Sequence, residues 1–96
     1  MTTAIVLQAI ARGHKYGFDI VDVTGFATGT VYPALRRLEH ARYLRSAWER
    51  EATALEDARP QRRYYEITPA GAKALHAAVA SLRALAVLTP ATKPGR

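Results

Sequence analysis

The sequence predicts an α+β fold that is mainly α: a winged helix-turn-helix of three helices and a two-stranded β wing, followed by a C-terminal dimerisation helix. Three observations predict it. The segment Gly29-Thr30-Val31-Tyr32-Pro33-Ala34-Leu35-Arg36-Arg37-Leu38-Glu39 has one apolar edge and two adjacent arginines turned away from it. Two short alternating stretches, Tyr43 to Glu49 and Arg62 to Ile67, follow it with a polar segment between them. A long alanine- and leucine-rich stretch, Ala70 to Leu88, comes last. The expected division is 1–68 for the winged domain, 69–88 for the dimerisation helix and 89–96 for a flexible tail.

Each element has its own local reason. Ala4 to Arg12 is apolar and helix-favouring, and Gly13 is a natural stop. Gly17 to Thr24 is a short helical candidate with Phe18, Ile20, Val21 and Val23 apolar and Asp19 and Asp22 outward. Its β-branched residues would also allow a strand. Gly25 permits a tight turn. The third helix starts near Thr28, whose hydroxyl is a candidate cap, with Ala27 as the flanking alternative. Val31, Leu35 and Leu38 recur at helical spacing and form a buried stripe, while Arg36, Arg37 and His40 point the opposite way. Pro33 lies inside this helix, removes one backbone hydrogen bond and should bend the first turn.

The hairpin follows. In the second strand Tyr65 and Ile67 share one face, Tyr64 and Glu66 the other. Glu51 to Gln61 is expected to be a mobile loop, the wing tip. Thr68-Pro69 opens the last helix as a cap followed by proline at the first helical position. Leu75, Val79 and Leu82, with Leu85 and Leu88 beside them, leave that helix apolar nearly all round. One face can rest on the domain, and the other needs a second copy of the chain.

Composition bounds the function. The chain has 96 residues, enough for one small domain, and is 49% hydrophobic. Its formal charge of +6 favours a polyanionic partner, nucleic acid before membrane. It has no cysteine, so disulfides and thiolate metal sites are excluded. His14, His40 and His76 are far apart and have no ligand neighbours at metal-site spacing. Neither a phosphate-cradling glycine loop nor a nucleophile–base arrangement is visible, so no enzyme and no cofactor are expected. No signal peptide or membrane span is seen, and the expected location is cytoplasmic.

The chemistry points to DNA. A major groove admits one α-helix, and guanine offers acceptors that an arginine can grip with two bonds. Residues 28–45 hold Arg36, Arg37, Arg42 and Arg45 against Glu39 alone. The expected DNA contacts are Thr28, Thr30, Tyr32, Arg36 and Arg37 on the third helix and Arg59, Arg62 and Arg63 at the wing. The basic foot at Arg59 to Arg63 is expected nearest the DNA, with Glu49, Glu51, Glu56 and Asp57 pointing away. The blander alternative for Arg36 and Arg37 is a solvated helix face with Arg37 paired to nearby acids. Trp48 has two open roles, packing on the hairpin or stacking on a ligand.

Three blocks, Tyr16-Gly17-Phe18-Asp19-Ile20, the helix segment quoted above, and Arg63-Tyr64-Tyr65-Glu66-Ile67-Thr68-Pro69-Ala70-Gly71, resemble the PadR family of bacterial transcriptional regulators. The chain looks like the compact subgroup with a single short C-terminal helix. The resemblance implies a winged-helix homodimer that binds palindromic operator DNA, usually as a repressor. It places helix contacts at Thr30, Tyr32, Arg36 and Arg37 and wing contacts at Arg62 and Arg63. Two positions depart from the family pattern: Ala27 stands where relatives commonly have serine, and Arg42 where they usually carry glycine. Some compact relatives hold flat hydrophobic compounds between aromatic side chains at the dimer interface, and residues 69–88 here contain no aromatic. The expected partners are double-stranded DNA, a second copy of the chain and a small-molecule effector. The rival readings are a winged-helix protein-interaction module and a small-molecule sensor using the dimer cleft.

Overall fold

The computed structural model describes residues 1–88. Its elements run α1 (Thr2–Ala11), α2 (Gly17–Thr24), α3 (Thr28–His40), β1 (Leu44–Trp48), α4 (Glu51–Glu56), β2 (Arg63–Ile67) and α5 (Pro69–Leu88). The expected tail, 89–96, lies outside the described residues.

Helical periodicity decides what is buried. Val31, Leu35 and Leu38 of α3 lie against Val6, Leu7 and Ile10 of α1 and Ile20 of α2. Leu44 of β1 and Tyr65 of β2 close the core from the hairpin side. Each such aliphatic side chain contributes about 1.5–3 kcal/mol by leaving water. The hairpin is antiparallel, with Leu44 opposite Ile67, Ser46 opposite Tyr65 and Trp48 opposite Arg63. Lys15 extends this pairing outward, because its carbonyl accepts the Tyr65 amide at 2.8 Å.

Left-handed residues follow each of the first four helices, with Gly25 (φ 75°) after α2 and Ala58 (φ 53°) after α4. At Gly13 (φ 105°) the chain turns out of α1. Arg42 (φ 64°) does the same after α3, with the Arg42 amide bonded to the Glu39 carbonyl and the Tyr43 amide to the Leu38 carbonyl. This paired pattern normally takes glycine, which explains why a glycine suits the position that Arg42 occupies. The Thr68 hydroxyl then donates to the Arg42 carbonyl at 2.7 Å and accepts the Gly71 amide at 3.0 Å. Thr68 is therefore the cap that Thr68-Pro69 promised, and it also ties the start of α5 to the end of α3.

Four expectations need correction. The segment Glu51 to Gln61 is no plain loop, since α4 occupies half of it and buries Ala54. Thr28 is the first helical residue and not the cap; Ala27 flanks the helix in extended conformation and makes no side-chain cap bond. Phe18 and Val23 do not pack inward but are 68% and 49% exposed. Asp19 is not simply outward, since it is half-buried and accepts a 3.1 Å bond from His14.

Candidate nucleic-acid interface

The apolar stripe of α3 fixes which side of that helix meets solvent. Thr28, Gly29, Thr30, Arg36, Arg37 and His40 are all exposed on it. Among the described residues, the side chains of Arg36 and Arg37 make no hydrogen bond or ion pair. Both guanidinium groups are thus available with every donor unspent. The Thr30 amide already donates to the Ala27 carbonyl at 2.9 Å, while the amides of Thr28 and Gly29 have no intrahelical acceptor and carry the positive end of the helix dipole, so this end suits an anionic oxygen.

Tyr32 sits lower. It is half-buried against the core, and its hydroxyl occupies the space where a side chain at position 17 would begin: a Cβ on Gly17 would lie 2.0 Å from it. The glycine in Tyr16-Gly17-Phe18 therefore lets α2 and the ring of Tyr32 meet. A groove of about 570 Å³ opens here, lined by Phe18, Tyr32, Trp48, Arg62 and Arg63 among others. Trp48 stands 60% exposed on it, outside the core.

The three wing arginines fare differently from one another. The side chain of Arg59 is only 20% exposed. Both of its terminal nitrogens bind Glu49, with Nη2–Oε2 at 2.9 Å, and Nη2 also reaches Asp57 at 3.1 Å. The expectation of a free basic foot is corrected at Arg59, whose charge is spent inside the wing. Arg62 lies 4.0 Å over the ring of Tyr16, a cation–π contact. Arg63 donates from Nε to the Ser46 hydroxyl at 3.0 Å and from Nη2 to Glu39 at 3.5 Å.

Glu49 is the organising anion of the wing. Its side chain is 5% exposed, and it accepts from Arg59, from the Arg62 amide at 3.0 Å and from the Tyr64 hydroxyl at 3.5 Å. Hydrogen bonding from Arg59, followed by the Arg62 amide, outweighs desolvation and lowers its carboxyl pKa to about 2. The folded value lies below the unfolded one, so the pair stabilises the fold above the ordinary carboxylate range. That contribution disappears as pH falls through about 2. Accordingly, Glu49→Gln should melt well below the wild type at pH 6, and the gap should close as both are acidified toward pH 2. A pH-independent gap in thermal melts would show that Glu49 acts through packing alone.

Sequence reasoning passed over Tyr16, Glu39 and Ser46 as residues that hold the wing arginines, and its expectation that Glu49 points away is corrected: Glu49 turns inward onto Arg59. Arg50 was also missed: it is exposed where β1 gives way to α4, and among the described residues it has no ion pair. Its signal was hidden by the flanking Glu49 and Glu51, which make the stretch look neutral. Of the expected dimerisation residues, Leu75 is packed against the core and Val79 is half-buried. Leu82 and Leu85 are 40% and 60% exposed, and the side chain of Leu88 lies outside the described residues. No helix among the described residues is long and apolar enough to cross a membrane.

The Transcriptional regulator PadR-like family matches residues 6–77. No curated protein matches the chain. Among solved structures, a transcriptional regulator from Clostridium thermocellum is 25% identical, with a TM-score of 0.73 over 91% of this chain and 84% of that one. A PadR-like transcription factor from Bacteroides fragilis is 25% identical, with a TM-score of 0.73 over 86% and 81%. A PadR family transcription regulator from Clostridium difficile is 21% identical, with a TM-score of 0.80 over 91% and 92%, and shares the fold.

Proposed function

We propose, since the chain belongs to the PadR-like family of transcriptional regulators, that it acts as a homodimeric repressor on a palindromic operator. The observation that carries the proposal is the pair Arg36 and Arg37, exposed and unpaired on a helix whose other face is fully anchored. α3 enters the major groove, and one or both arginines grip guanine edges. Thr28, Thr30 and the first amides of α3 bind phosphate and set the register. Arg62 and Arg63 meet the neighbouring backbone from the wing. The apolar side chains Leu82 and Val87, 40% and 78% exposed on α5, support pairing with a second copy. Two copies then place their α3 helices in major grooves roughly 34 Å apart, or a multiple of that. The exposed indole of Trp48 beside the groove leaves a place for a small-molecule effector.

Selection of bound fragments from random duplex DNA, followed by salt titration on the winning site, tests the reading. The expected outcome is a two-fold symmetric site whose affinity falls steeply as salt rises and which outcompetes bulk DNA. Equal binding to all sequences would reduce the protein to a charged surface. Indifference to DNA would make it a protein-interaction module.

A further inference from the structure

One hydroxyl joins three elements of this fold. Ser46, in the middle of β1, donates to the Glu39 carboxylate on the last turn of α3. It also accepts the Nε–H of Arg63 on β2 at 3.0 Å. Arg63 reaches the same Glu39 oxygen through Nη2 at 3.5 Å and lies 5.5 Å from the ring of Trp48. Glu39 is the only acid in α3 and Ser46 the only hydroxyl in β1. A guanidinium carries five N–H donors in a fixed plane. Ser46 and Glu39 hold one edge of that plane, and among the described residues Nη1 has no acceptor.

An anion on a helix meant for DNA needs a reason. Standing alone, Glu39 would repel phosphate and weaken binding to every sequence. Its carboxylate is instead spent inward, on the hairpin. We infer that Glu39 and Ser46 are positioning residues that lock the wing to the recognition helix and aim the free edge of Arg63 at a DNA phosphate. The inference rests on the DNA-binding reading above. A wing held at a fixed angle places one phosphate contact at a fixed distance from the base-reading face of α3, and that contact sets the register in which Arg36 and Arg37 meet the bases. A loose wing would still attract DNA but would no longer hold the register.

The test compares wild type, Ser46→Ala, Ser46→Thr and Glu39→Gln on the selected operator and on bulk DNA across a salt series. Ser46→Ala changes no charge. It is expected to lose roughly tenfold of its preference for operator over bulk DNA, the size of one well-placed contact. The slope of log affinity against log salt is expected to fall by about one, as one phosphate contact is lost. Ser46→Thr keeps the hydroxyl and should keep both properties. Glu39→Gln should lose the same preference while its bulk-DNA affinity holds or rises. A purely structural role would lower the melting temperature and leave slope and preference at wild-type values, and that result in Ser46→Ala or Glu39→Gln overturns the inference. A wild type indifferent to DNA overturns instead the reading beneath it.

Discussion

Replacing Arg36 and Arg37 together with alanine is expected to weaken operator binding by at least about 2 kcal/mol, some thirtyfold. Both side chains are exposed on α3, and neither is held by a partner among the described residues. Their removal therefore leaves no buried polar group behind and should barely move thermal stability. The core stripe of Val31, Leu35 and Leu38 lies on the other side of the helix and is untouched. The single variants separate two roles. An arginine that grips a guanine with two bonds costs about 1–3 kcal/mol and relaxes preference at one base pair when lost. One that meets phosphate lowers affinity evenly across sequences and reduces the salt slope by about one. Titrations of both singles and the double on operator and bulk DNA read out all of this. Wild-type binding by the double variant would remove α3 from the interface.

The largest stability effect is expected at Gly71, in the first turn of α5. A Cβ there would lie 2.2 Å from the Tyr43 carbonyl oxygen and 2.9 Å from a side-chain carbon of Ile67. The carbonyl cannot retreat freely, because it accepts the Thr68 amide at 3.0 Å. Alanine is the better helix former by about 1 kcal/mol, so propensity alone would make Gly71→Ala stabilising. Overpacking against fixed backbone costs about 1–3 kcal/mol and occasionally more. Steric cost wins here, because two groups must move at once and one of them is main chain. The expected net loss is about 2 kcal/mol, or roughly 8–16 °C in melting temperature for a chain of this size. An unchanged or raised melting point would mean that α5 slides off the Tyr43 turn without penalty.

What the sequence discloses and what it hides follow from how local each cause is. The α3 stripe was legible because burial repeats with the helical period. The α5 start was legible because a threonine cap and a proline at the first helical position act within four residues of chain. Alternation in the second strand put Tyr65 and Ile67 on one face, and the structure shows that face to be the inward one, with Tyr65 buried and Ile67 packed against the core. The fate of Arg59 was not legible, since Glu49 lies ten residues away and only the return of the hairpin brings the two together. The short α4 was hidden for a related reason: its one buried anchor is the small side chain of Ala54. Phe18 misled because a helix of eight residues offers barely two turns from which to read a face. At Arg42 the strained conformation belongs to the backbone, which had to leave α3 there whatever side chain the position carried.

The sole tryptophan of the chain is also one of its wettest aromatic residues. All indole emission therefore originates from one spot at the end of β1, in water and beside a guanidinium. Such a fluorophore emits toward the red and is open to collisional quenchers, and the nearby positive charge should draw iodide in ahead of a neutral quencher. Anything that settles on that corner of the hairpin will shield it and shift its colour, so the protein carries an optical gauge of its own wing that needs no label.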